Sequence, residues 1–252
     1  MANAFILKFK RGETPFYRTL REWARKVRSS SLPLPGFLYP ALRPVFGLHQ
    51  AVWRGVFWCA GYFYVGPVFR SRCASVGRGF RISRMPFVLG HAKICIGDGV
   101  NFFGKVDISS GRIFDEPRLI IKDRVDIGHN VAFVVNKEIV IEEDVNVAGG
   151  VCFMDTDAHP RDALERIADL PPRPEEIKPV RICRRAWIGQ NSFIMKGVTI
   201  GEGAVVGVNS VVLADIPPYA VAMGNPARVV VKGTPPAAPP EAAVPASSPP
   251  VR

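Results

Sequence analysis

Histidine and cysteine are the residues of this sequence best suited to chemistry near neutral pH, and their placement restricts what that chemistry is. The 252 residues include four histidines and five cysteines. The cysteines form no C-x-x-C pair, and no close histidine pair occurs at metal-ligand spacing, so the sequence predicts no metal site. No cysteine or serine lies in a motif typical of a covalent nucleophile. An odd number of cysteines without a secretory signal pattern favours a reducing cytosol.

His159 lies in the segment DTDAHPRDALER, residues 155–166. An imidazole, with an unperturbed pKa of ~6.5, can accept the proton of an attacking hydroxyl near neutral pH. Asp155 and Asp157 precede the histidine, and a carboxylate can orient such an imidazole or bind a sugar hydroxyl. The alternative interpretation is a surface histidine in a flexible loop, flanked by solvated carboxylates.

The structure that positions this segment is indicated by a six-residue repeat of aliphatic residues. A helix needs apolar residues every 3.6 positions and a flat strand every second position, so neither explains a period of six. The same period occurs upstream from Val76, with slips of two residues. Three hexapeptides make one triangular turn, so residues 76–216 predict roughly six turns of a β-solenoid. The clearest run of the repeat is Ile182, Ile188, Ile194, Ile200, Val206 and Val212.

Two stretches interrupt the repeat. Residues 154–181 carry charges and prolines, and an insertion of this length in a compact solenoid is usually functional. Residues 233–252 are rich in proline and alanine, which predicts a disordered tail. We therefore divide the chain into an N-terminal helical segment, residues 1–70, a β-solenoid domain, residues 71–232, and the tail.

The N-terminal segment is cationic. Residues 1–93 hold 16 Lys and Arg but only two acids, a net charge of +14, whereas the rest of the chain has a net charge of −3. Basic residues surround an apolar face at helical spacing within residues 16–28, which predicts an amphipathic helix. The longest charge-free run, residues 55–69, has 15 residues, fewer than the ~20 that cross a bilayer.

This pattern favours a segment, residues 1–69, that lies in the membrane interface over one that crosses the bilayer. The alternative is that the segment caps the open end of the solenoid while its cations are solvated. The interleaved aromatic and aliphatic residues argue against a nucleic-acid binder, as does the restriction of the positive charge to one part of the chain.

Glycine follows the repeated aliphatic residue at Gly189, Gly201 and Gly207, and this repeat resembles the hexapeptide-repeat acyltransferases over residues 76–232. Residues 186–230 are similar to the terminal coils of the sugar O-acetyltransferases of the maltose, galactoside and nodulation type. The resemblance implies a mainly β fold, a left-handed parallel β-helix. It also implies a homotrimer whose active clefts form between neighbouring subunits.

The same resemblance implies roles for residues near the insertion. DTDAHPRDALER is similar to the family's loop, in which a His-Pro pair precedes a charged stretch, and this places His159 at the family's catalytic histidine. For the oxyanion the family uses donors that include an asparagine of the preceding coil. The residue in register here is Val134, and the nearest asparagine is Asn136, two residues on.

The resemblance also implies which residues bind coenzyme A. Trp187 matches the tryptophan that lies along the pantetheine arm, although a core or subunit-interface tryptophan is the alternative. The guanidinium of Arg228 suits a phosphate group. Ala214 departs from the family, in which lysine is frequent at this position, and Lys196 is a candidate substitute. The full implied set is Trp187, Gln190, Val208, Leu213, Ala214 and Arg228, with Lys196 in addition.

Together these patterns predict an acetyl-CoA-dependent O-acetyltransferase that acts on a sugar hydroxyl by direct transfer, with His159 as general base. A membrane-proximal N-terminus favours a bacterial cell-surface polysaccharide as acceptor, such as lipopolysaccharide, capsule or exopolysaccharide. The enzyme would be cytoplasmic, or peripheral on the cytoplasmic face of the inner membrane. The alternatives are O-acetylation of a small sugar, N-acetylation of a nucleotide amino sugar, and a non-enzymatic membrane-anchored scaffold.

Overall fold

The computed structural model describes residues 2–29 and 35–235. The predicted tail lies outside the described residues from position 236 onward. The chain divides into two compact units, residues 1–53 and residues 54–252. The second unit therefore begins ahead of the boundary that the repeat alone predicts, because it includes a helical stretch before the first strand.

Two helices, α1 Ala2–Arg11 and α2 Pro15–Ser29, begin the first unit. Gly12 follows α1 with a φ of 65°, the left-handed conformation in which glycine commonly ends a helix. The hydroxyl of Thr14 accepts the backbone N–H of Tyr17 at 3.4 Å, as a helix N-cap does. Helix α2 agrees with the basic amphipathic helix expected in this part of the sequence.

A second helical stretch precedes the first strand. It consists of α3 Tyr39–Ala60, a π-helical turn Gly61–Val65 and α4 Gly66–Arg72, after a 3-10 turn Gly36–Leu38. Helix α3 buries none of its residues within the described structure. Among the described helices, none combines the length and the apolar character that crossing a bilayer requires.

The end of this helical stretch packs against the first coil of the solenoid. Val65 and Phe69 are buried and belong to the same apolar cluster as Ile82 and Phe102. Residues 61–69 therefore cover apolar side chains of the first two coils, which corresponds to the capping alternative for this part of the N-terminal segment.

Twenty short strands form the rest of the second unit as far as residue 235, together with α5 Ala163–Ile167 and a 3-10 turn Pro174–Glu176. The strands are β1 Ser75–Val76, β2 Arg81–Ile82, β3 Phe87–Leu89, β4 Lys93–Ile96, β5 Asn101–Phe102, β6 Val106–Ser109, β7 Arg118–Ile121, β8 Asp126–Ile127, β9 Val131–Val134, β10 Glu138–Ile141, β11 Asn146–Val147, β12 Cys152–Met154, β13 Val180–Ile182, β14 Trp187–Ile188, β15 Phe193–Ile194, β16 Thr199–Ile200, β17 Val205–Val206, β18 Val211–Val212, β19 Val221–Gly224 and β20 Ala227–Val231.

From β1 to β18 every third strand joins the same sheet, so the chain coils around three faces. Sheet A has the order β1-β4-β7-β10-β13-β16, sheet B β2-β5-β8-β11-β14-β17-β19-β20, and sheet C β3-β6-β9-β12-β15-β18. Strands β1 to β18 pair in parallel, and β20 closes sheet B antiparallel to β19. Six coils result, in agreement with the number expected from the repeat. We call the turns between successive strands the A–B, B–C and C–A corners.

The repeated aliphatic residues form the core of the coils. Ile141 pairs with Ile182 across neighbouring strands of sheet A, and both are 0% exposed. The rings of Phe133 and Phe153 stack at 5.1 Å in successive coils. Each coil buries its apolar side chains against the next one, so stability comes from stacking rather than from any single turn. The six residues of the clearest repeat run are all buried.

Glycine is required where corners of adjacent coils approach closely. A Cβ atom at Gly189 would lie 2.6 Å from the carbonyl oxygen of Val206 in the next coil. No side chain fits there without a backbone shift, which explains why glycine follows the repeated aliphatic residue.

Two insertions leave the solenoid, both at the C–A corner. The first, residues 110–117, connects β6 to β7, and the second, residues 155–179, connects β12 to β13. The second coincides with the interruption expected at 154–181. The sequence pattern does not predict the first insertion, because the aliphatic residues on either side of it keep the six-residue repeat.

Candidate functional site

The second insertion begins with a buried carboxylate. Asp155 is 0% exposed, and its oxygens accept the backbone N–H groups of Asn136 at 2.8 and 2.9 Å, Lys137 at 2.6 Å and Glu138 at 2.9 Å. Burial raises the pKa of Asp155, while the hydrogen bonds from these amides oppose that shift. The carboxylate therefore fixes the C–A corner of the preceding coil. It does not orient the His159 imidazole in this structure, which differs from one role predicted for it.

Asn136 belongs to the same buried network. It is 6% exposed, and its side chain as well as its backbone N–H bonds to Asp155. Gly111 of the first insertion lies so close that a Cβ atom there would collide with the Asn136 amide oxygen. The predicted oxyanion role does not fit this placement, because the amide group is enclosed by protein instead of facing an open surface.

The imidazole of His159 is exposed on a well-braced loop. Thr156 is buried, and its hydroxyl accepts the N–H of Ala158 at 3.1 Å. Ala158 has a φ of 66°, a conformation that is unfavourable for a residue with a Cβ atom and that is frequent at functional sites. Arg166 Nη1 donates to the carbonyl oxygen of Pro160 at 2.9 Å. Hydrogen bonds thus fix the backbone on both sides of the histidine, while its ring is exposed and accessible to a ligand.

An ion pair attaches this loop to the next coil. Lys196 Nζ lies 2.6 Å from Asp157 Oδ2, and the two side chains are 16% and 33% exposed. Because Ile194 pairs with Val212, Lys196 lies one coil before Ala214 at the same corner. The predicted substitution of Lys196 for a lysine at 214 is therefore in register, but Asp157 already binds its ammonium group.

The two insertions contact each other. Arg112 Nη2 donates to the carbonyl oxygen of Asp169 at 2.6 Å. The side chain of Asp162 caps α5 by accepting the N–H groups of Leu164 and Glu165, and these hydrogen bonds lower the pKa of Asp162. No pattern in the sequence indicates that Arg112 and Arg166 hold this loop. The sequence does indicate the helix cap at Asp162, through the S/T/D-x-x-E pattern.

The residues expected to bind coenzyme A lie on the outer surface in two groups. Trp187 and Arg228 belong to strands of sheet B, and Gln190 and Val208 lie at the B–C corner. All four are exposed. The B–C corner residues stack directly, since the carbonyl of Gln190 accepts the N–H of Asn209 at 2.8 Å.

Leu213 and Ala214 form the second group, at the C–A corner, together with Lys196. The insertion that carries His159 leaves the solenoid at this same corner. Sheet C separates the C–A corner from the B–C corner, and sheet A separates it from Trp187 at the start of β14. One chain therefore brings His159 together with Lys196, Leu213 and Ala214 but not with the sheet B group.

Two half-buried thiols and two buried hydroxyls are poorly suited to nucleophilic attack. Burial raises the pKa of Cys152, and it raises the pKa of Cys73 to about 11, so both are thiols near neutral pH. Ser192 and Ser210 are 0% exposed, and each donates to the carbonyl oxygen of Gly207. Within the described residues, no group of three or more His, Cys, Asp or Glu side chains is arranged to hold a metal ion.

Part of the coil matches a known family model. Residues 179–214 match the family model "Bacterial transferase hexapeptide (six repeats)". This stretch contains β13 to β18, the last two complete coils. It overlaps the part of the sequence in which the resemblance to acyltransferases is most specific.

Relatives of this chain occur in yeast and in bacteria. "Putative acetyltransferase YJL218W" of Saccharomyces cerevisiae is 36% identical over 116 residues, which cover 46% of this chain and 57% of the relative. "Putative acetyltransferase SACOL2570" of Staphylococcus aureus is 48% identical over 58 residues, 23% of this chain and 29% of the relative. The chain thus spans little more than half of the first relative and less than a third of the second.

A solved structure has the same fold. AntD, an N-acyltransferase from Bacillus cereus in complex with dTDP and 3-hydroxybutyryl-CoA, superimposes with a TM-score of 0.52 at 18% identity. The superposition covers 69% of this chain and 90% of that one. At this level of identity the likeness establishes the architecture of the coils.

Proposed function

We propose that the protein is an acetyl-CoA-dependent O-acetyltransferase that acts on a sugar hydroxyl. The observation that carries the proposal is the exposed His159 ring, held by a braced loop beside coils whose sequence matches the transferase hexapeptide repeat. A scaffold protein has no need to hold an imidazole in this way.

His159 acts as the general base in this proposal. It accepts the hydroxyl proton while the sugar oxygen attacks the thioester carbonyl carbon; the carbon–sulfur bond then breaks, and the imidazolium returns the proton to the leaving thiolate. Transfer is direct in this proposal. In support, partial burial raises the pKa of the Cys152 thiol, and the hydroxyls of Ser192 and Ser210 are buried and donate to a backbone carbonyl oxygen. No metal takes part in this scheme.

The donor site is completed by a neighbouring subunit of a homotrimer of left-handed coils. The support is the separation within one chain between the C–A corner, with His159, and the sheet B group that contains Trp187 and Arg228. Three subunits arranged around a threefold axis bring the corner of one against sheet B of the next, so that coenzyme A lies between them.

The acceptor in this proposal is a glycan of a bacterial cell surface, with the enzyme on the cytoplasmic face of the inner membrane. Support comes from the cationic N-terminal segment, residues 1–69, and from the exposed apolar side chains of α3. A membrane contact of this kind gives access to lipid-linked sugars.

The decisive experiment measures coenzyme A release with the full chain, acetyl-CoA and purified sugars. We expect His159→Gln to lower the rate by roughly 10²–10⁴-fold, the usual contribution of a general base. The matched control is His129→Gln, which changes another exposed histidine, at a B–C corner, and is expected to keep the wild-type rate.

Coenzyme A binding separates loss of catalysis from loss of the fold. A ligand at 100 times its Kd stabilises a protein by ~2.7 kcal/mol, and we expect this shift in both the wild type and His159→Gln. Transfer that survives His159→Gln unchanged would refute the proposed base. Activity only with amino sugars would replace O-acetylation by N-acetylation, and absence of coenzyme A binding would favour the scaffold alternative.

A further inference from the structure

An apolar groove runs between the second helical stretch and the first two coils. Its volume is about 480 Å³. The helical side contributes Trp58 and Tyr62, and the solenoid side contributes Phe102 and Phe103. We call this surface the aromatic–arginine groove; its lining residues are Phe57, Trp58, Gly61, Tyr62, Gly66, Pro67, Arg70, Phe80, Arg81, Ile82, Ser83, Asn101, Phe102 and Phe103.

The groove lies in a region with no acidic residue. Residues 23–97 contain neither Asp nor Glu, whereas residues 54–97 contain six arginines and one lysine. Within the described residues, Arg78 makes the single ion pair of these seven cations, with Asp98 at 3.2 Å. The remaining positive charge around the groove is therefore available to an anionic partner.

Arginines stand at the rim of the groove. Arg81 lines it and is exposed. Arg70 also lines it and lies 5.7 Å from the ring centre of Phe80, and Arg84 lies 5.0 Å from that of Phe57. Guanidinium groups in this position can bind the oxygens of a phosphate while their stems rest on the aromatic floor.

Exposed aromatic side chains continue the groove outward. Trp58 and Tyr62 are each 65% exposed, and their rings stack at 5.5 Å. Tyr64 and Phe103 are also exposed. Tryptophan and tyrosine combine an apolar ring with a polar tip, which suits the boundary between lipid headgroups and acyl chains.

We propose that the aromatic–arginine groove binds anionic phospholipids of a bilayer. An acyl chain lies along the aromatic floor, and Arg81 binds the phosphate. Arg70, whose guanidinium donates to the carbonyl oxygens of Val76 and Gly77, adds positive charge beside it. Charge complementarity selects this occupant, because a groove whose lining is largely apolar and includes two arginines but no acid matches an anionic amphiphile. The inference deepens the membrane contact proposed above by assigning a lipid site, and it does not depend on acetyl transfer.

The test is flotation of the full chain with two kinds of vesicle, pure phosphatidylcholine and phosphatidylcholine with about 30 mol% phosphatidylglycerol. We expect binding to the anionic vesicles that weakens as salt is added, and little binding to the neutral ones. Arg81→Glu should reduce anionic binding by roughly 25-fold, since each basic residue near such a surface adds about fivefold and a reversal of charge applies that factor twice.

Two matched control variants test whether the loss of vesicle binding is specific to the groove. Lys232→Glu makes the same charge change after the last strand of sheet B, and we expect it to bind vesicles like the wild type or within about twofold. Trp58→Ala combined with Tyr62→Ala should weaken binding, whereas Ile167→Ala, which removes another highly exposed apolar side chain, should not. Thermal unfolding of each variant checks that it remains folded.

Three results would overturn the inference. They are equal binding to neutral and anionic vesicles, equal losses for Arg81→Glu and Lys232→Glu, and self-association through the groove in place of lipid binding. Because vesicle binding needs no acetyl donor, its failure leaves the test on His159 unaffected. Loss of transfer in His159→Gln likewise leaves the lipid result unaffected.

Discussion

At the scale of single residues, Asp155 shows how one carboxylate can hold two coils together. Its oxygens accept three consecutive backbone N–H groups of the corner between β9 and β10. Its own carbonyl oxygen accepts the N–H of Lys178 at 2.9 Å, at the far end of the second insertion. The residue therefore closes the base of the loop that carries His159.

We expect Asp155→Ala to lower the free energy of unfolding by about 3 kcal/mol, because buried N–H groups without an acceptor cost ~1–3 kcal/mol each and the loop relaxes only in part. Chemical denaturation measures the change. The control is Asp115→Ala, an exposed aspartate of the first insertion, which should change stability by less than ~0.5 kcal/mol. Similar small losses in both variants would contradict the network described here.

The ion pair between Lys196 and Asp157 allows a second prediction at this scale. If Lys196 braces the loop, Lys196→Ala and Asp157→Ala should lower kcat by similar factors, and the double variant should be little worse than either single one, with a coupling energy above ~0.5 kcal/mol. Coenzyme A affinity should not change. A selective loss of coenzyme A affinity in Lys196→Ala would instead support the coenzyme A contact for which the sequence makes Lys196 a candidate.

At the scale of elements, the π-helical turn meets the first coil without space for a side chain. A Cβ atom on Gly61 would lie 2.3 Å from the carbonyl oxygen of Ile82. Gly55 in α3 has no atom within 4 Å of the same position. Both glycines therefore lie in helical backbone, but Gly61 is packed against the first coil and Gly55 is not.

Alanine at these two positions should have opposite effects on stability. Gly55→Ala should stabilise by ~0.5–1 kcal/mol, because glycine is unfavourable inside a helix. Gly61→Ala should destabilise by ~1–3 kcal/mol, since the helical turn and the first coil have to move apart. Thermal unfolding compares them, and equal melting temperatures would show that the turn does not rest on Ile82.

At the scale of the whole molecule, the two groups of candidate site residues occupy different faces of the coil. The C–A corner carries His159, and sheet B carries Trp187 and Arg228. A complete site then needs residues from two subunits, so a measurement of transferase activity can test the proposed homotrimer.

Mixing two inactive variants tests this arrangement. His159→Ala and Arg228→Ala, unfolded and refolded together in equal amounts, should recover about a quarter of the wild-type activity, because one in four trimer interfaces then combines an intact histidine with an intact arginine. Each variant refolded alone is the control. If the mixture remains inactive, both residues act within one subunit or Arg228 does not contribute.

The repeated aliphatic residues made the coil predictable from the sequence. Residues such as Ile182 and Ile188 recur every six positions because each must point inward once per face, and no helix or flat strand imposes that period. The candidate histidine was predictable for a related reason, since the insertion that carries it breaks an otherwise regular pattern.

The environment of each polar residue was not predictable in the same way. Asp155 and Asp157 are alike in the sequence, yet one is buried among backbone amides and the other pairs with Lys196, 39 positions away. The close approach of Asn136 and Gly111 was not predictable either, because the two residues belong to different parts of the fold. Such contacts join different coils and insertions, and a local period contains no information on which side chains meet across them.

The sequence by itself thus determined the number of coils, the residues of their core and the position of the second of the two insertions, because burial of apolar side chains follows a fixed spacing. Only the tertiary structure decided which charges are paired, which are enclosed, and that the aromatic and cationic residues before the first coil line a groove. Those outcomes depend on the stacking of coils and on the helical turn that packs against the first of them.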